Sequence, residues 1–318
     1  MSPDRTDTTP AAPAQSAAGP AGAGSGGSGG AGHESEWHHA RRSPRRSESH
    51  RRAGAEGPGR PSRKSSYLPP QHGAWAFLGL PLVLGAIVAP GTPLLLVLAT
   101  AWVAAYPLSY AALGLVRARR PRRFRAPFAA WLAVVLPAVV VLVVARPWLV
   151  WVGLGYLVLF AVNLRYARRN DERALGNDLV FVAECAAMVA VARAVGAGER
   201  SWSPPLLDTV PHRVWVLVIV CALVLVGSTL HVKSLIRERR DPRFALFSKV
   251  TAVASVPAAA ALAGWWGGPA GAWLVVPFVA LAVRAFLVGR RPLRPGRIGV
   301  IELGCFALVA VGCLLASL

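Results

Sequence analysis

The chain has 318 residues, 54% of them hydrophobic and 16% charged, with a formal net charge of +20. Its charges are confined to a few short stretches between long apolar runs, which excludes an ordinary soluble domain. The same placement excludes nucleic-acid binding: arginines lodged between apolar spans act as topology signals and lipid-headgroup contacts.

Residues 1–66 are rich in Ala, Gly, Ser, Pro and Arg and nearly devoid of large aliphatic side chains. Such a segment cannot bury enough surface to offset its ordering entropy, so it is expected to be a disordered, basic, cytoplasmic tail. No apolar core of a signal peptide is read in it. Order is expected from Tyr67 on, where Pro69 and Pro70 precede Gln71 and His72 at the mouth of a first span, Gly73 to Ala89. His72 is placed there as either an interfacial cap or a substrate contact.

Eight further spans follow, over residues 94–116, 127–145, 148–164, 178–195, 213–231, 250–265, 270–288 and 298–318. The prediction is an all-α polytopic membrane protein of about nine transmembrane helices over residues 67–318. The loops between spans two and three, four and five, six and seven, and eight and nine carry six, four, six and four Lys/Arg. The alternate loops and adjoining span ends carry only Arg146, Arg193, Arg200 and Arg213. Positive residues stay cytoplasmic, so the N-terminus is expected inside and the C-terminus outside. Cys185, Cys221, Cys305 and Cys313 all fall in spans without metal-ligand spacing and read as small core residues.

The stretch NLRYARRNDERALGNDLVFVAE, residues 163–184, leaves the fourth span and enters the fifth. Asn163, Asn170 and Asn177 recur every seven residues, a spacing that places them near one face of a continuous helix. Glu184 lies inside the fifth span, and an ionisable residue there marks a functional site by default. Ser228, His231, Lys233, Arg237, Glu238 and Asp241 close the sixth span and its loop, and Arg284 and Glu302 sit near the inner ends of the last two. These positions all belong to the cytoplasmic ends, which implies a hydrophilic pocket walled by helices and open to the cytoplasm.

Such a pocket suits an anionic headgroup. Asp171 and Asp178, with Asn170 and Asn177, offer oxygen ligands for Mg²⁺, which bridges phosphate oxygens. Lys233 and Arg237, spaced to share a helix face with Thr229, and His231 would contact a diphosphate. Arg165, Arg173, Asn163, Asn170, Asn177 and Glu302 complete the candidate substrate contacts, and His231, Lys233, Arg237 and Glu184 are the candidate catalytic residues.

PPQHGAWAFLGLPLVLG, RNDERALGNDLVFVAE, HVKSLIRERRDPRF and RIGVIELG together resemble the YwiC-like family of bacterial membrane proteins, over residues 67–318. The nine-helix plan is also similar to the UbiA superfamily of intramembrane prenyltransferases. That resemblance implies a Mg²⁺-dependent transferase acting on an isoprenyl diphosphate or a related lipid phosphate. It also implies Asp-rich motifs on loops two–three and six–seven. Here the first of these, RARRPRRFR, has no acid, and the second offers only Glu238 and Asp241. Two other readings stand beside the transferase: a transporter in which Glu184 and Glu302 bind protons or cations, and a non-enzymatic lipid-associated protein whose basic tail binds anionic lipid.

Overall fold

The computed structural model describes residues 67–69, 73–118, 120–171, 173–198, 200–204, 210–288 and 293–318. The expected tail, residues 1–66, and His72 lie outside them. The described chain is helical: α1 Ala74–Val88, α2 Leu94–Arg117, α3 Arg122–Ala145, α4 Leu149–Arg168, α5 Leu175–Ala197, α6 His212–Ile236, α7 Pro242–Trp266, α8 Val275–Leu287 and α9 Pro295–Ser317. A short 3₁₀ helix, Pro269–Leu274, runs directly into α8. Counting those two as one span, eight described segments are long and apolar enough to cross a membrane, and α1 is a shorter apolar helix of 15 residues. The protein is a multi-pass membrane protein, and each expected span is present as a helix.

The helices outrun the apolar stretches that announced them. The loop expected over residues 117–125 shrinks, because Arg122, Arg123, Phe124 and Arg125 form the first turn of α3 behind Pro121. The charged loop expected over residues 233–249 reduces to residues 237–241, since α6 runs on to Ile236 and α7 starts at Pro242. Hydropathy marks the part of a helix that lies in lipid, and backbone hydrogen bonding carries the helix on into the headgroup layer. Asp241 fixes the start of α7: its side chain accepts hydrogen bonds from the backbone N–H groups of Arg243 (2.8 Å) and Phe244 (3.3 Å), with Pro242 at the first helical position.

Two apolar cores share α5. One face of that helix, with Val182, Cys185 and Val189, packs with α1, α6, α7, α8 and α9. The other, with Met188, Val191, Ala192 and Val195, packs with α2, α3 and α4. At the centre of the larger core α6 buries Val216, Leu217, Val220, Cys221, Val224 and Leu225. By contrast α3 and α4 leave most of their apolar surface exposed, as lipid-facing helices do. Close approach needs glycine at two crossings. A Cβ on Gly85 would meet the Ala192 side chain at 2.5 Å, and one on Gly312 would meet Pro277 at 2.7 Å and the Trp273 carbonyl oxygen at 2.8 Å.

Candidate functional site

The buried polar residues gather at one end of the bundle. Ser228, His231 and Lys233 are on the last three turns of α6, Ser248 is on the second turn of α7, Arg284 on the last turn of α8 and Glu302 on the second turn of α9. At 1.5 Å per residue all lie within about 5–12 Å of the helix ends. Ser228, His231, Arg284 and Glu302 expose at most 7% of their surface.

Glu302 joins three helices. Its Oε1 lies 2.5 Å from Arg284 Nη1, and its Oε2 accepts a hydrogen bond from the Ser228 hydroxyl. Arg284 and Glu302 are in contact but poorly aligned: Nη1, Oε1 and Arg284 Nε lack a well-directed hydrogen bond, as do His231 Nε2 and Ser248 Oγ. A buried polar atom without a partner costs free energy unless water or a ligand supplies one.

Two further links tie α5 to its neighbours at this end. Lys233 Nζ lies 2.7 Å from Asp178 Oδ2 and donates to the Arg173 carbonyl oxygen at 2.6 Å, so α6 holds the start of α5 and the turn before it. Asn163 Nδ2 on α4 donates to Glu184 Oε1 at 3.0 Å, while the Tyr156 hydroxyl donates to the Glu184 carbonyl oxygen at 2.8 Å. Glu184 therefore has a neutral amide partner and Glu302 a cationic one.

The other candidates fall outside this set. Arg165, Arg173 and Arg237 are exposed; Arg237 caps α6 in helical register, its N–H donating to the Lys233 carbonyl oxygen at 2.9 Å. The seven-residue asparagine spacing does not give one helical face. Asn170 has φ 56°, and the N–H groups of Asn170 and Asp171 donate to the carbonyl oxygens of Ala167 and Tyr166 at 3.1 and 3.0 Å. That is a Schellman ending: Asn170 terminates α4 in a left-handed conformation, and Asn177 begins afresh on α5. Sequence reasoning missed Tyr156 and Ser248, and it gave no role to Ser228 or Arg284. Arg284 carried the signal that had marked Glu184, a lone ionisable residue in an apolar run.

The two expected Mg²⁺ ligands differ in setting. Asp171 is exposed in the turn after α4, and the Asp178 carboxylate is engaged by Lys233. Asp241 is engaged as a helix cap. Among the described residues no three His, Cys, Asp or Glu side chains are placed to hold a metal ion; Glu172 lies outside them.

A relative from Bacillus subtilis (strain 168), described as uncharacterized protein YwiC, is 30% identical over 257 residues, spanning 78% of this chain and 97% of its own. The chain belongs to the YwiC-like family. The model of that family, described as YwiC-like protein, matches residues 68–193, which hold α1, the Asn163–Glu184 pair and Asp178. A second relative, an uncharacterized protein from Haemophilus influenzae (strain ATCC 51907 / DSM 11121 / KW20 / Rd), is 25% identical over 256 residues, again 78% of this chain and 97% of its own. No solved structure matches the chain.

Proposed function

We propose that this YwiC-like protein binds the anionic headgroup of a membrane amphiphile at the α6–α9 end of its bundle, and handles or transports it without covalent chemistry. The supporting observation is the buried Arg284–Glu302 pair, with Arg284 Nε, His231 Nε2 and Ser248 Oγ left without a hydrogen-bond partner among the described residues at the same end. In a low-dielectric interior a fixed guanidinium is a strong, directional site for a phosphate or carboxylate. Glu302 acts as the internal counter-ion that keeps Arg284 neutralised between binding events. An incoming anion competes with Glu302 for the guanidinium, with Ser228 retaining the displaced carboxylate. His231, three residues along α6 from Ser228, is a further polar contact for the headgroup.

The twenty-to-four cation split between the two sets of loops supports a cytoplasm-facing binding end, an inside N-terminus and an outside C-terminus. This reading is preferred to Mg²⁺-dependent prenyl transfer because Asp178 is paired with Lys233 and no three His, Cys, Asp or Glu side chains group together among the described residues.

Binding of a radiolabelled isoprenyl diphosphate to the purified protein in detergent tests the proposal, with Mg²⁺ and with chelator. The expected result is binding that is indifferent to chelator, lost in Arg284→Gln and strengthened in Glu302→Gln. Binding that requires Mg²⁺ and disappears in Asp171→Asn/Asp178→Asn would restore the transferase reading. No change in either Arg284→Gln or Glu302→Gln would sink the site assignment.

A further inference from the structure

At the opposite end of the bundle a cavity of about 240 Å³ opens between the ends of α1, α5, α7 and α9 and the start of α6. Its walls include Ile87, Val88, Trp266 and Ser317, and two arginines line it: Arg193 from α5 and Arg213 from α6. We propose that this cavity is a second, independent anion site that takes the phosphate group of a membrane phospholipid.

Cations are scarce at this end, where the sequence places only Arg146, Arg193, Arg200 and Arg213. Two of those four line one cavity. Arg146 serves the backbone instead, donating from Nε to the Val195 carbonyl oxygen at 3.3 Å and from Nη1 to that of Ala145 at 3.2 Å. Arg213 is held in place: its Nε donates to the Trp266 carbonyl oxygen at 3.4 Å and its guanidinium lies 5.1 Å from the Trp266 ring centre. Trp266 is fixed in turn by donating from Nε1 to the Ala316 carbonyl oxygen at 2.9 Å. The terminal nitrogens of Arg213 stay available. Arg193, half-buried, has no ion pair or hydrogen bond among the described residues. Ser317 spends its hydroxyl proton on the Cys313 carbonyl oxygen, so the two guanidiniums are the donors that face a ligand.

Charge selects the ligand class. The described side-chain carboxylates, Asp171, Asp178, Glu184, Glu238, Asp241 and Glu302, all belong to the far half of the bundle, leaving the α-carboxylate of Leu318, next to Ser317, as the described anion near the cavity; Glu199 and Asp208, in the α5–α6 connector, lie outside the described residues. Two guanidiniums against apolar walls match a phosphate ester, and the volume holds the headgroup but not the acyl chains, which stay in the surrounding bilayer.

The test is titration of the full-length protein in uncharged detergent with six-carbon phosphatidic acid, at about 0.5 M salt so that exposed loop arginines are screened. Six-carbon phosphatidylcholine is the zwitterionic control and inorganic phosphate the competitor. Arg193→Gln/Arg213→Gln is expected to lose about tenfold or more in affinity. Arg193→Lys/Arg213→Lys should retain most of it, and Arg169→Gln, exposed at the other end, should leave it unchanged. If the Gln pair does not fold, each single Gln variant serves, with loss of preference for phosphatidic acid over phosphatidylcholine as the readout. Competition by inorganic phosphate as strong as by the lipid assigns the site to the free anion. Competition by the lipid alone assigns it to the headgroup; either result supports the site. Unchanged affinity in the Arg193→Gln and Arg213→Gln variants, equal binding of phosphatidylcholine, or loss of binding in Arg169→Gln overturns it.

Discussion

Arg284 and Glu302 form a contact that is costly to half-remove. A buried ion pair contributes little net stability, but deleting one partner strands the other charge, at a cost of about 3–5 kcal/mol. Arg284→Met or Glu302→Leu alone is therefore expected to lower thermal stability in detergent sharply, whereas the double replacement should recover most of the loss. A double variant as unstable as the singles would mean that Ser228 and His231 belong to the same cooperative unit. Tyr156→Phe removes one hydrogen bond to a helix carbonyl and should cost only about 0.6–1 kcal/mol in the same melt, in line with interhelical hydrogen bonds in membranes. Glu184 and Glu302 were legible in the sequence because a lone acid in an apolar run stands out. Their partners were not. Asn163 and Arg284 meet them across helix interfaces, and sequence spacing carries no trace of which helices touch. The asparagine period misled for a related reason: spacing defines a face only while the helix continues, and Asn170 is where α4 stops.

Glycines on the same helix differ in what surrounds them. On α9, Gly312 faces the Trp273 carbonyl oxygen and Pro277, neither of which can rotate away, while Gly304 has open space. Gly312→Ala should therefore destabilise by about 1–3 kcal/mol through overpacking. Gly304→Ala should stabilise by up to about 1 kcal/mol through helix propensity. Opposite signs in paired melting curves would confirm the α8–α9 approach, and matching signs would refute it. The break between the 3₁₀ helix and α7 rests on Gly267 and Gly268, at φ 83° and 76°, a backbone shape that other residues rarely adopt. That Gly-Gly-Pro turn was readable from residue types alone. The overrun of α3, α6 and α7 into charged residues was not, because charge in the headgroup layer breaks the hydropathy signal without breaking the helix.

For the molecule as a whole, the number and order of helices followed from apolar run length, yet the arrangement of those helices did not. The apolar 18-residue stretch of α3 has the higher mean hydropathy, 2.8 against 2.4 for that of α6, but α6 is the core helix and α3 faces outward. Lipid tails are as apolar as leucine, so hydropathy cannot separate a lipid-facing helix from a buried one. The orientation proposed from the loop charges can be checked by single-cysteine labelling. A cysteine at Trp202, in the α5–α6 connector, is expected to react with a membrane-impermeant maleimide on intact cells, and one at Arg169, after α4, only after lysis. The reverse pattern would invert the topology and move the Arg284 site to the outer face. The length of α1 adds a physical constraint. Its 15 residues reach about 22 Å against a hydrocarbon layer of about 30 Å. It packs against α2, α5, α6 and α9, and a span this short favours a thinner bilayer around the bundle. The melting temperature should accordingly be higher in lipids with acyl chains of about 14 carbons than in those of about 22.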